Sequence, residues 1–267
     1  MKILLKLVLS SLLALSLTAN AQQESFPEGS APNEHNIAGA TTHPAPNPMP
    51  GGLPSPRQPQ PIQTPTYLAD YFAPSTKDAA VPDDKGFIRR WILLEPISKP
   101  NRSNTVFTDS YLRQAFDTLY FKEQFVILPK DGDKVKVGKQ KLVWHALDSK
   151  LYNVKLYRFA AALKKSVYGI VFWAVTVIDS SEDLTDIRLS VGSNAASDWW
   201  LNGEEILLLA GDRRMVVDDC LSRRITLKKG RNILRGAVIN GPGMSDFCVR
   251  FLYEDGTPVK NITITQP

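Results

Sequence analysis

Histidine and cysteine are scarce in this chain, and their scarcity is the first limit on its chemistry. Three histidines occur in 267 residues. His35 and His43 fall in a proline-rich N-terminal stretch, so His145 alone is available to a folded catalytic site. Metal centres draw on clusters of His, Cys and carboxylates at defined spacings. No Cys or His lies at ligand spacing from Cys220 or Cys248, and no metal or other cofactor is expected. The nucleophile motif Gly-x-Ser-x-Gly is absent. Gly243-Met244-Ser245-Asp246 approaches it only loosely, and between strands rather than at a strand-to-helix elbow. A phosphate-cradling glycine loop is missing too, because Pro242 interrupts the backbone donors between Gly241 and Gly243.

Long apolar runs are also wanting beyond the N-terminus. Residues 168–178 are apolar but only a strand's length, so no transmembrane segment is expected in the mature chain. The net charge is +5, with Lys and Arg scattered among Asp and Glu. That pattern reads as a mixed-sign solvated surface and gives no reason to expect nucleic-acid binding.

What is present begins with an export signal. Lys2 and Lys6 precede a short apolar run over 3–17, and Ala19-Asn20-Ala21 forms a small-x-small cleavage site. Residues 1–21 are therefore expected to be a signal peptide and the mature chain exported, to the periplasm, the cell surface or the medium. No cysteine follows the run, which argues against a lipid anchor. Twelve of the nineteen prolines lie between Pro27 and Pro74. Residues 22–83 are accordingly expected to be a disordered, proline-rich linker, with Tyr67, Tyr71 and Phe72 docking on the domain edge. Export leaves two readings of Cys220 and Cys248 open. A disulfide would close a loop of about 28 residues and contribute roughly 3–4 kcal/mol. Two buried thiols are the alternative.

The domain is expected over 84–267. Strands are read at 87–97, 134–137, 141–145, 167–178, 186–191, 204–210, 224–227, 232–240, 247–253 and 259–264, with Asn202-Gly203 as a hairpin turn. Thr108 or Asp109 is placed to cap a short helix at 111–116, and apolar spacing suggests another over 153–164. This distribution predicts an all-β antiparallel sandwich or jelly roll with one or two short helices.

The chain's focus is the stretch 191–206, VGSNAASDWWLNGEEI. Adjacent residues on a strand point to opposite faces, so one of Trp199 and Trp200 is expected in the core and the other outward. An outward Trp could stack on a sugar ring, with Asp198, Asn202, Arg213, Arg214 and Asp246 supplying hydrogen bonds to hydroxyls. Paired carboxylates at 182–183, 204–205 and 218–219 are sequence neighbours that point apart on extended chain, so none marks a glycosidase site.

Trp200-Leu201-Asn202-Gly203, then Leu227-Lys228-Lys229-Gly230-Arg231-Asn232, resemble the core motifs of a galactose-binding-like β-sandwich module. Such modules occur in exported Bacteroidetes carbohydrate-active proteins, of the type associated with acetylxylan esterases. The resemblance covers about 100 residues well and about 180 loosely. Where the pattern usually carries an acidic Ser-Asp-Asp-Gly corner, this chain has Ser193-Asn194-Ala195-Ala196. The resemblance implies an accessory module that binds a plant polysaccharide, acetylated xylan being one candidate, or that docks on an enzyme cutting one. The alternatives are a carbohydrate O-acetyl esterase using His145, and a structural envelope protein.

Overall fold

A computed structural model describes residues 66–101 and 103–267. The expected signal peptide and most of the expected linker lie outside the described residues.

The described chain is an all-β sandwich. Two of its three longest strands, β6 (Ile170–Ser180) and β12 (Gly230–Asn240), pair antiparallel over their full length, from Gly230 opposite Ser180 to Asn240 opposite Ile170. Residues 170–178 of β6 are all buried, so it reads as a continuous apolar run rather than an alternating one. On its other edge β6 receives three short partners in turn. These are β14 (Ile262–Thr265), β2 (Arg90–Leu94) and β3 (Ile97–Ser98). Pro96, between β2 and β3, has no N–H for a sheet ladder and marks the break.

The large sheet extends from β6 through β2 to β5 (Gln140–Ser149), which also pairs with β4 (Lys134–Val137) and β1 (Phe72–Pro74). Beyond β12 it continues to β8 (Ala196–Leu201) and ends at β9 (Glu204–Leu209). A smaller sheet is centred on β7 (Leu184–Asn194), with β13 (Asp246–Leu252) along one edge. The other edge carries β10 (Cys220–Leu221) and β11 (Ile225–Leu227) in succession.

Strand pairing is already present before residue 84. Phe72 faces Ser149 in the sheet, and Ala80 bridges Ile264. Asp148 holds this segment by accepting from Ser75 Oγ at 2.7 Å and from Arg90 Nε at 2.8 Å. A short helix, α1 (Leu68–Tyr71), precedes it. Of the three residues expected to dock, Phe72 does so as the first residue of β1, Tyr71 ends α1 with its carbonyl accepting from Lys150 N at 2.9 Å, and Tyr67 is exposed.

Two cores result. One fills the space between the sheets, with Trp91, Phe159, Phe172, Trp199, Phe247 and Phe251 among its members. Helix α3 (Leu156–Ala162) closes its side by burying Leu156, Phe159 and Ala160. The second core lies on the outer face of the large sheet. There helix α2 (Asp109–Asp117) buries Leu112, Ala115 and Phe116, and Thr108 Oγ1 caps it by accepting from Tyr111 N at 3.4 Å. The segment after α2 adds Phe121 and Phe125. Buried Gln124 folds it back, donating to the Phe116 and Thr118 carbonyls and accepting from Tyr120 N.

Candidate functional site

The tryptophan doublet divides between two faces, as the strand period requires, but neither face is water. Trp199 enters the inter-sheet core at 0% exposure, and Trp200 enters the outer core at 6%. Trp199 meets Trp91 and Phe247 edge-on at ring distances of 6.0 and 5.2 Å, and its Nε1 donates to Ser197 Oγ. Trp200 stacks on Trp173 at 5.5 Å, with Phe125 at 5.4 Å. The expectation of an outward, sugar-stacking Trp is therefore corrected. Helix α2 and the segment behind it cover the outer sheet face, so the outward direction leads into a second core.

Asp198, 1% exposed, is likewise no ligand-facing group. Burial, reinforced by the nearby Glu205 charge, pushes its carboxyl well above the usual range, against the Trp199 N–H and the Arg113 charge. Arg213 is 3% exposed and is committed to Asp219 and to the Ala210 carbonyl. Asp246 is buried and accepts from Lys155 Nζ at 2.7 Å and Asn153 Nδ2 at 3.0 Å. Arg214 is exposed on the β9–β10 loop. These three lie at the end of the sandwich where β12 finishes, whereas Asn202 lies at the end where β12 begins. The expected binding set is not one site.

Neither Cys220 nor Cys248 is in a disulfide and both are buried, with Cys220 Sγ accepting from Arg213 Nη2 at 3.4 Å. Cys220 faces Val191 from one edge of β7, and Cys248 faces Gly192 from the other. Two strand spacings, about 9–10 Å, separate their backbones, and successive β7 positions point to opposite faces. A disulfide needs α-carbons within about 7 Å, so the bridge is excluded and the two-thiol reading holds. His145 sits on β5 against the Phe159 ring, with Nε2 at 3.8 Å from Glu95 Oε1 and without a hydrogen-bond partner. Lys165 Nζ reaches the same carboxylate at 3.3 Å. Among the described residues, His145 has no hydrogen bond to a serine hydroxyl, and no cluster of three or more His, Cys, Asp or Glu is placed to hold a metal ion.

The candidate site lies where the free edges of the two sheets, β9 and β11, approach each other. A cleft of about 380 Å³ opens there. Its buried lining is apolar: Leu201, Ile206 and Ile225. Its polar lining is Asn202, Glu204, Arg223, Arg224, Thr226 and Lys228. Asn202 adopts φ 52° in the tight turn with Gly203, a conformation Asn tolerates better than most residues. Its carboxamide is fixed there, donating to Asn232 Oδ1 at 2.9 Å and accepting from Ile233 N at 2.8 Å. Arg223 bridges the sheets by pairing with Glu204. Arg224 holds Glu254 with two 2.9 Å hydrogen bonds, and this keeps the Glu254 carboxyl below its usual range. On β11, Ile225 and Leu227 enter the inter-sheet core, and Thr226 between them faces away.

Of the expected binding residues only Asn202 lines this cleft. Arg223, Arg224, Thr226 and Lys228 were missed. Their sequence signal was four cations in the seven residues 223–229, around an apolar alternation.

No family model matches the chain, and no curated protein does. Among solved structures, a PA14 sugar-binding domain from an RTX adhesin aligns with a TM-score of 0.38 at 9% sequence identity, covering 67% of this chain and 100% of that domain. At this distance the likeness carries nothing about ligand or site.

Proposed function

We propose that this chain is an exported, non-catalytic carbohydrate-binding module that works as an accessory in plant polysaccharide breakdown, with acetylated xylan one candidate glycan. The observation that carries the reading is the open cleft between β9 and β11. A sugar presents hydroxyls around its rim and C–H groups on its faces. The cleft offers the complement, with amide, hydroxyl, carboxylate and guanidinium groups above an apolar strip of Leu201, Ile206 and Ile225. It is held by a two-sheet frame and a fixed turn rather than by mobile side chains alone, which lowers the ordering cost of binding.

Affinity electrophoresis in gels containing soluble plant polysaccharides tests this. Retardation by at least one glycan, abolished by Thr226→Trp, is the expected result. Thr226 sits on β11 in the lining, so the indole fills the cleft while the charges stay. Retardation unchanged in Thr226→Trp would move the site elsewhere, and none with any glycan would end the carbohydrate reading.

A further inference from the structure

We propose that the cleft selects acidic polysaccharide, taking the carboxylate of a uronic acid residue on Lys228 and the Arg223–Arg224 pair. This deepens the carbohydrate reading and rests on it.

The lining itself makes the case. It contains no aromatic side chain, so the stacking that commonly anchors neutral sugars is not available here. What it does contain is three cations against one carboxylate, Glu204. Both arginines already hold carboxylates, Arg223 with Glu204 and Arg224 with Glu254, so guanidinium–carboxylate geometry is built into the walls. Lys228 forms no ion pair among the described residues, while its backbone N–H is anchored to Asn232 Oδ1 at 3.0 Å. Its backbone is thus fixed and its side chain is exposed.

Exchange of partners is cheap at this site. Glu204 is 73% exposed, and exposed ion pairs contribute little because water competes for both members. A sugar carboxylate entering the cleft can displace Glu204 from Arg223 with small loss, and the released carboxylate returns to solvent. Lys229, next to Lys228 in the chain, is exposed and adds to the positive field. Of the nearby acids, Glu254 is engaged by Arg188 and Arg224 and Asp183 by the Lys229 N–H, while Asp186 adds a further negative charge near Arg224.

The test uses the full mature chain with three probes: polygalacturonate, its fully methyl-esterified form, and poly-L-glutamate. Methyl esterification keeps the sugar chain and removes the charge. Polygalacturonate is expected to bind, more weakly as NaCl rises from about 20 mM to about 0.5 M, and Lys228→Gln is expected to weaken it about fivefold. Lys228 is exposed, so this variant folds as the parent does. Equal binding of the methyl ester would overturn the acidic selectivity and leave the carbohydrate reading standing. Equal binding of poly-L-glutamate would make the ligand an acidic peptide instead. Binding of none of these, nor of any neutral glycan, would sink both readings.

Discussion

Trp199 occupies the space where a side chain on Gly236 would stand. The two residues face each other in the β8–β12 ladder, and a β-carbon built on Gly236 would lie 2.4 Å from Trp199 Cζ3 and 2.7 Å from two more ring atoms. The ring is held on its other sides by Trp91 and Phe247. It has nowhere to move, because a packed interior accommodates added atoms only by straining rotamers or backbone.

Gly236→Ala is therefore expected to lower stability by about 1–3 kcal/mol, read as a shift of the urea midpoint. An accompanying change in near-ultraviolet circular dichroism is expected, since the indole is the group displaced. An unchanged midpoint would mean that Trp199 is not packed against this strand.

The same pair shows how far the sequence could be read. Period-two alternation correctly sent Trp199 and Trp200 to opposite faces, and the Asn202-Gly203 hairpin and the long apolar β6 were equally legible. These features depend on residues near each other in the chain. What covers the outer face was not legible. Helix α2 and Phe125 reach Trp200 from about 75–90 positions away, and nothing local in WWLNG announces them. The cleft was hidden for the same reason. Asn202 and Thr226 belong to different sheets, and Arg223 meets Glu204 only because two free edges face each other. Proline content likewise drew the linker too far, since Pro74 itself pairs with Leu147 on an edge of β5; an edge position tolerates a residue without an N–H.

Asp198 gives an electrostatic prediction. Burial, then the Glu205 charge, raises its folded-state pKa, so the folded protein holds this proton more tightly than the unfolded chain. Its contribution is fully present below the ordinary carboxylate range and is lost as pH rises from there through the raised folded value. Asp198→Asn keeps the shape without the charge. It is expected to raise stability near neutral pH by about 1–3 kcal/mol and to have little effect near pH 3. A variant less stable at neutral pH would mean that the ionised carboxylate has a partner the fold requires.

The thiols give a chemical one. Both cysteines are buried in separate environments, and burial pushes the Cys248 thiol up to about 12. Ellman's reagent is expected to find two thiols in the unfolded, unreduced protein and essentially none reacting quickly in the native state. Finding no free thiol after unfolding without reductant would contradict the placement of Cys220 and Cys248 on opposite edges of β7.

Asp148 runs against Asp198 in its response to acid. Its burial would raise its pKa, but hydrogen bonds from Arg90 and Ser75 and the Arg90 charge outweigh it, and the folded value is lowered. That contribution is present above the ordinary carboxylate range and is lost as pH falls through the lowered folded value. Arg90 is 6% exposed and also donates to the Asp78 carbonyl, so this pair clamps the segment around residues 75–78 onto the sheet. Asp148→Ala takes the carboxylate from a buried guanidinium that keeps its hydrogen bond to the Asp78 carbonyl, with an expected cost of about 1–3 kcal/mol, and loosens that segment. Trypsin cleavage after the exposed Lys77 is then expected to quicken well before global unfolding. In the parent protein the same site is expected to open as pH is lowered through the range in which Asp148 takes up its proton. Equal cleavage rates in parent and variant at neutral pH would show that residues 72–80 are held by the sheet pairing alone, without the Arg90–Asp148 clamp.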